Sequence, residues 1–134
     1  MHKTFEHKAD IGIIGKGKTL EKAFEEAAKA MFSIQCNIKK VKQDKKIRIL
    51  ASASNKEELF VEFLNQLLTQ SSLKDMLFSK FKVKIKENEV KGYAIGEKIQ
   101  KKHQLKTEIK AATYSELKVF QEKSSWVVQC IIDV

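Results

Sequence analysis

Proline does not occur anywhere in the 134 residues, and glycine occurs only five times. A chain this poor in both has no proline-rich linker and no low-complexity tract, and it contains no internal sequence repeat. It reads as one folded domain, residues 1–134, long enough to enclose a real core with its 43% of hydrophobic residues. The two cysteines, Cys36 and Cys130, stand far apart with no CxxC or Cys/His spacing. That excludes a disulfide framework and a zinc knuckle, and leaves both thiols as small apolar fillers. No run approaches the roughly 18 to 20 apolar residues of a membrane span, and the start of the chain, Met1-His2-Lys3-Thr4-Phe5-Glu6, lacks the apolar centre of a signal peptide. A cytoplasmic location is expected.

Most motifs that carry chemistry are missing as well: there is no GxGxxG, no HExxH and no nucleophile elbow. One pattern does match, since Gly12-Ile13-Ile14-Gly15-Lys16-Gly17-Lys18-Thr19 satisfies the phosphate-loop spacing G-x-x-x-x-G-K-[ST]. Its middle is wrong for that role. A phosphate loop curls successive backbone N–H groups around an oxyanion, and the β-branched pair Ile13-Ile14 resists that curl. The apolar strand that should precede it is also absent, because Lys8-Ala9-Asp10 stands there.

What is present in excess is positive charge: 26 Lys and Arg against 17 Asp and Glu, a formal net charge of +9. Such a balance favours anionic partners such as RNA or an acidic protein face. Much of the excess lies in Lys39, Lys40, Lys42, Lys45 and Lys46 and in Lys80, Lys82, Lys84 and Lys86, where lysine alternates with apolar residues as it does on the wet side of a sheet. A small basic RNA-binding module is therefore one functional reading. It is weakened by the shortage of aromatics beside those lysines, since alternation puts Phe81 on the opposite face.

Along the chain, residues 5–17 predict two short strands with a polar turn between them and Asp10 at the junction. Thr19 is a good cap for a helix through Ala23, Phe24, Ala27, Ala28, Met31 and Phe32, whose apolar positions cover more than one stripe. A strand over residues 46–53 follows, then a second helix capped by Ser54 or Asn55 and apolar on most sides through Leu59, Phe60, Phe63, Leu64 and Leu67. Two helices with apolar flanks predict an α+β fold in which a central helical layer lies between two β-sheets. Residues 80–95 read as a hairpin. A strand over residues 106–115 is expected next, with Thr107, Ile109, Ala111 and Thr113 on one side and Glu108, Lys110, Ala112 and Tyr114 on the other. Residues 117–120 and a turn at 122–125 lead to Trp126–Ile132, apolar enough to lie inside a sheet.

Two polar groupings stand out. Asp10 sits at a strand junction, and Asp133 ends an apolar strand with the Val134 carboxylate beside it. If the first and last strands are neighbours, these oxygens suit a hard cation such as Ca²⁺, Mg²⁺ or Mn²⁺. If not, they are solvated strand ends. The second grouping is the charged row Lys106, Glu108 and Lys110, which reads either as a solvated strand face or as an interaction site. A small metal-dependent hydrolase is disfavoured because no well-placed general base accompanies the carboxylates.

His7-Lys8-Ala9-Asp10-Ile11-Gly12, the helix from Leu20 to Met31, Phe63-Leu64-Asn65-Gln66-Leu67-Leu68, the block His103 to Leu117 and Ile131-Ile132-Asp133-Val134 occur in an order that resembles the archease family over nearly the whole chain. Lys106-Thr107-Glu108-Ile109-Lys110-Ala111 with Thr113-Tyr114 is the most specific part. The resemblance implies the same sheet–helices–sheet fold. It implies a divalent metal, Ca²⁺ first with Mg²⁺ or Mn²⁺ as alternatives, held by Asp10, Asp133 and a main-chain oxygen of Val134. It also implies a polar site of His7, Lys106, Glu108 and Lys110 toward a protein partner. That partner is an RtcB-type tRNA-splicing RNA ligase, with tRNA contact within the complex. By the same resemblance the chain is not an enzyme but a protein cofactor. It promotes guanylylation of the ligase histidine and multiple turnover in joining 2′,3′-cyclic-phosphate or 3′-phosphate RNA ends to 5′-hydroxyl ends. Lys8, Gln104 and Ser115 stand where the family commonly has threonine, proline and histidine.

Overall fold

A computed structural model describes residues 1–7 and 10–134, except the side chains of residues 6 and 7. Two helices lie between two antiparallel sheets, as the two-sided apolar patterns require. The first sheet contains β1 (His2–His7), β2 (Asp10–Gly17), β8 (Ser125–Asp133) and β6 (Ala111–Ala112) in that order, with β7 (Lys118–Glu122) also paired to β8. The second has three strands, with β5 (Glu89–Lys98) between β3 (Lys45–Ser52) and β4 (Met76–Lys86). β8 therefore has partners on both sides, the position its apolar run predicts.

Helix α1 (Leu20–Gln35) starts where Thr19 Oγ1 accepts the Lys22 N–H at 3.1 Å, and α2 (Lys56–Lys74) where Asn55 Oδ1 accepts the Glu58 N–H at 2.8 Å. Phenylalanine binds the layers together. Phe24 of α1 meets Phe60 and Phe63 of α2 at ring separations of 5.2 and 5.4 Å, while Phe32 faces Phe78 and Phe81 of β4 at 5.5 and 5.7 Å. All six rings are buried. On its other side α1 packs on β2, where a Cβ at Gly15 would overlap the Ala23 carbonyl oxygen and Ala27. A Cβ at Gly12 would overlap the ring of Phe5, its cross-strand neighbour. A Cβ at Gly17 would overlap Lys22 and the Ala23 amide, so Gly12 and Gly17, the two glycines that match a phosphate loop, serve close packing inside a continuous strand.

The outer edge of β4 is protected by α1. Buried Glu25 accepts the Val83 N–H at 2.9 Å and Glu21 accepts the Ile85 N–H at 3.2 Å, so two edge amides are taken by carboxylates and not left open to another strand.

The structure departs from the sequence pattern chiefly at residues 104–117. The strand expected over 106–115 is only Ala111–Ala112, and its alternation is not kept, because Ile109 and Ala112, of opposite parity, are both buried. The Lys106 N–H leaves the sheet for the Gln35 carbonyl of α1 (2.7 Å). Only the middle of the segment follows β8, where the Lys110 N–H goes to the Asp133 carbonyl (2.8 Å) and that of Thr113 to the Ile131 carbonyl (3.0 Å). Beyond it, the Ile131 N–H donates to the Ser115 carbonyl at 3.1 Å, so residues 113–115 arch over β8 before β7 resumes pairing.

Candidate functional site

The antiparallel register of β2 and β8 ends at Ile11 opposite Ile132, and one step further along it lie Asp10 and Asp133. Opposed residues of neighbouring antiparallel strands hold their Cβ atoms about 5 Å apart. The two carboxylates therefore close the same end of the same sheet, with Val134 directly after. Both aspartates are half-buried, and among the described residues neither carboxylate has a cation or hydrogen-bond donor as partner. Two anions so placed repel each other unless a cation offsets their charge. No group of three His, Cys, Asp or Glu side chains able to hold a metal occurs among the described residues. Any metal here would rest on two carboxylates, a main-chain oxygen and water, a donor set suited to a hard cation.

The charged segment is anchored to that corner. The Lys110 N–H donates to the main-chain oxygen of Asp133, and Ala111 pairs with Asp133 in the register. On the other side Asn65 of α2 grips Ala112 twice, donating from Nδ2 to its carbonyl (3.1 Å) and accepting its N–H at Oδ1 (2.8 Å). One amide side chain thus replaces a neighbouring strand. From this fixed point the chain runs back past buried Ile109 to Lys106, tied to the C-terminal end of α1. Lys106, Glu108 and Lys110 are exposed and line an open cleft of about 1020 Å³ between this segment and the C-terminal half of α2. Gln35 also lines it, and its buried Oε1 has no partner. The structure therefore joins Lys110 directly to the carboxylate corner and sets Lys106 toward α1. The side chain of His7, and Lys8, lie outside the described residues.

The family model of the Archease protein family matches residues 2–134. A Protein archease of Pyrococcus furiosus is 38% identical over 97% of this chain and 96% of its own, and one of Sulfolobus acidocaldarius is 37% identical with the same coverage. The chain belongs to the archease family. Among solved structures, protein 1598 of Methanobacterium thermoautotrophicum is similar with a TM-score of 0.88 and 31% identity over 99% of this chain and 98% of that one. A Thermotoga maritima structure described as an archease and possible chaperone has a TM-score of 0.66 at 23% identity, covering 97% and 94%, and shares the fold.

Sequence reasoning placed His103 at the start of one of the blocks that match the family, but gave it no role. His103 is buried; its Nδ1 accepts the Gln100 N–H at 2.8 Å, so the proton is assigned to Nε2, which donates to Glu97 Oε2 at 2.9 Å. Glu97 also accepts the Lys42 N–H at 2.9 Å and pairs with Lys102 at 2.9 Å. The Lys42 amide first, then His103 and Lys102, hold its carboxyl well below the usual range, at about 2. This knot fixes the loop from which residues 105–110 depart. Asn65 enters the resemblance only as part of a matching helix, and no local pattern marks a mid-helix asparagine as a clamp for a strand 47 residues away. The cysteines keep their expected role: both are free and buried, and burial pushes the Cys130 thiol up to about 12 despite the Thr113 amide.

Proposed function

We propose that this protein is a non-enzymatic cofactor of an RtcB-type tRNA-splicing RNA ligase. In this reading it promotes guanylylation of the ligase histidine and repeated turnover in joining 3′-phosphate or 2′,3′-cyclic-phosphate RNA ends to 5′-hydroxyl ends. Membership of the archease family supports the reading. The observation that carries it is the bond from the Lys110 N–H to the Asp133 carbonyl, because it makes the carboxylate corner and the charged segment one rigid unit. Asp10, Asp133 and the Val134 main-chain oxygen would hold Ca²⁺, or Mg²⁺ or Mn²⁺ in its place, and a bound cation would cancel the repulsion between the aspartates and lock the end of the sheet. Lys110, Glu108 and Lys106 then offer exposed charges of both signs to the ligase, and His7 is added to that set by the family resemblance alone. Such a patch sets orientation and the rate of encounter more than raw affinity.

The test adds the purified protein to a cognate ligase with GTP and Mn²⁺ and follows labelling of the ligase. Wild type should accelerate guanylylation, and Lys110→Glu should lose most of that effect. Lys56→Glu, an equal charge reversal at the exposed start of α2, should keep it. Guanylylation at the same rate with and without the protein would end this reading, and so would joining of RNA ends by the protein alone.

A further inference from the structure

The outer face of the three-stranded sheet is a separate surface, turned away from the helices, and its registers define it row by row. Arg48, Tyr93 and Lys82 are aligned across β3, β5 and β4; on one side of that row come Lys46, Ile95 and Lys80, and on the other Leu50, Lys91 and Lys84. The last row is Ser52, Glu89 and Lys86, so one carboxylate faces seven cations. Down the middle run Ile95 and Tyr93, with Leu50 beside them; Tyr93 is 43% and Leu50 54% exposed. Lysines of β4 form one rail and Lys46 with Arg48 the other.

A solvated face needs the lysines but not an exposed aromatic at their centre. The Tyr93 ring presents a face to solvent-side groups, since Lys46 Nζ lies 5.2 Å from its centroid. A flat platform with an aromatic centre and basic rails has the two elements by which single strands are held: bases stack on the ring while phosphates meet the cations. A duplex hides the faces of its bases and cannot use the ring. We infer that this face binds single-stranded RNA through Tyr93 stacking between the Arg48 and Lys82 rails. The inference goes beyond the ligase reading and does not rest on it. The sequence alone offered RNA binding on these lysines but no aromatic beside them, because Tyr93 reaches the lysine row only through β5 pairing with β4, whereas the lysine strand itself places Phe81 inside.

The test is fluorescence anisotropy of a labelled single-stranded RNA of about 12 nucleotides, within the roughly 4–16 nucleotides that an OB fold holds, titrated with the protein over a salt series without any ligase. Wild type should bind, with log K falling by about 0.7 per neutralised phosphate for each unit of log salt. Tyr93→Ala should weaken binding on the order of tenfold and Tyr93→Phe little, because stacking needs the ring and not the hydroxyl. Lys82→Gln should weaken binding and flatten the salt slope by about 0.7, while Lys118→Gln on the other sheet should change neither. Melting curves establish that each variant is folded. The inference is overturned if Tyr93→Ala binds like wild type, if Lys118→Gln costs as much as Lys82→Gln, or if the same RNA as a duplex binds as tightly as the single strand. Displacement of the RNA by polyglutamate of equal charge at equal concentration would likewise overturn it and point to an acidic protein partner.

Discussion

The β4–β5 hairpin and residues 104–117 carry the same alternating signature, yet only the hairpin became sheet. In β4, Lys80, Lys82, Lys84 and Lys86 stay on the wet face while Phe81 and Val83 are buried, over a ladder that runs from Met76 to Lys86. In the second segment two residues pair and the rest is held by scattered bonds to α1, α2 and β8. Alternation states which side of a strand is apolar; it does not supply an edge to pair with. The hairpin brings its own partner through a two-residue turn. Residues 104–110 are tied to the C-terminal end of α1 through Lys106 instead, and at Ala112 the mid-helix Asn65 takes the place of a strand.

The most severe way to test the comparison is Phe24→Ala. If both regions rest on one core, removing the ring that joins α1 to α2 should cost about 3–5 kcal/mol and melt both together, read as coincident loss of far-ultraviolet circular dichroism and Trp126 fluorescence. Separate transitions would show two units.

Asn65→Ala sharpens it. Both polar groups of Ala112 lose their partner, costing about 1–3 kcal/mol, and amide exchange should quicken at residues 106–113 while the hairpin stays protected. Uniform loss of protection would mean that the segment is no less integrated than the hairpin.

Acid probes the same segment at its root. The Glu97 carboxyl is held at about 2, below its ordinary 4.5, so its contribution is complete above about pH 4.5 and is lost as pH falls from there toward 2. Wild type should melt higher than Glu97→Gln at about pH 6, and the gap should close across that window. A gap that stays constant to low pH would mean the carboxylate is not what holds the loop.

Least disturbing to the fold is Lys110→Glu, exposed in the segment, which should change stability by no more than about 0.5 kcal/mol as judged by urea midpoints. A larger loss would give this side chain a structural role and weaken its use as a probe of ligase contact.

By itself the sequence determined the helices, their caps, the hairpin, the buried last strand and the layered α+β order. Each follows from a local cause: apolar positions at helical or strand spacing, a capping side chain, or an alternation with a turn beside it. Asp10 and Asp133 could be named, but that they end one sheet depended on β2 pairing with β8 across more than a hundred residues of sequence. The tertiary structure alone decided that Asn65 holds Ala112, that His103 and Glu97 tie the preceding loop, and that Tyr93 stands among lysines from other strands. These are contacts between side chains and distant backbone or across registers. A one-dimensional pattern records the spacing of residues within an element, and it holds no information on which other element will come to lie against it.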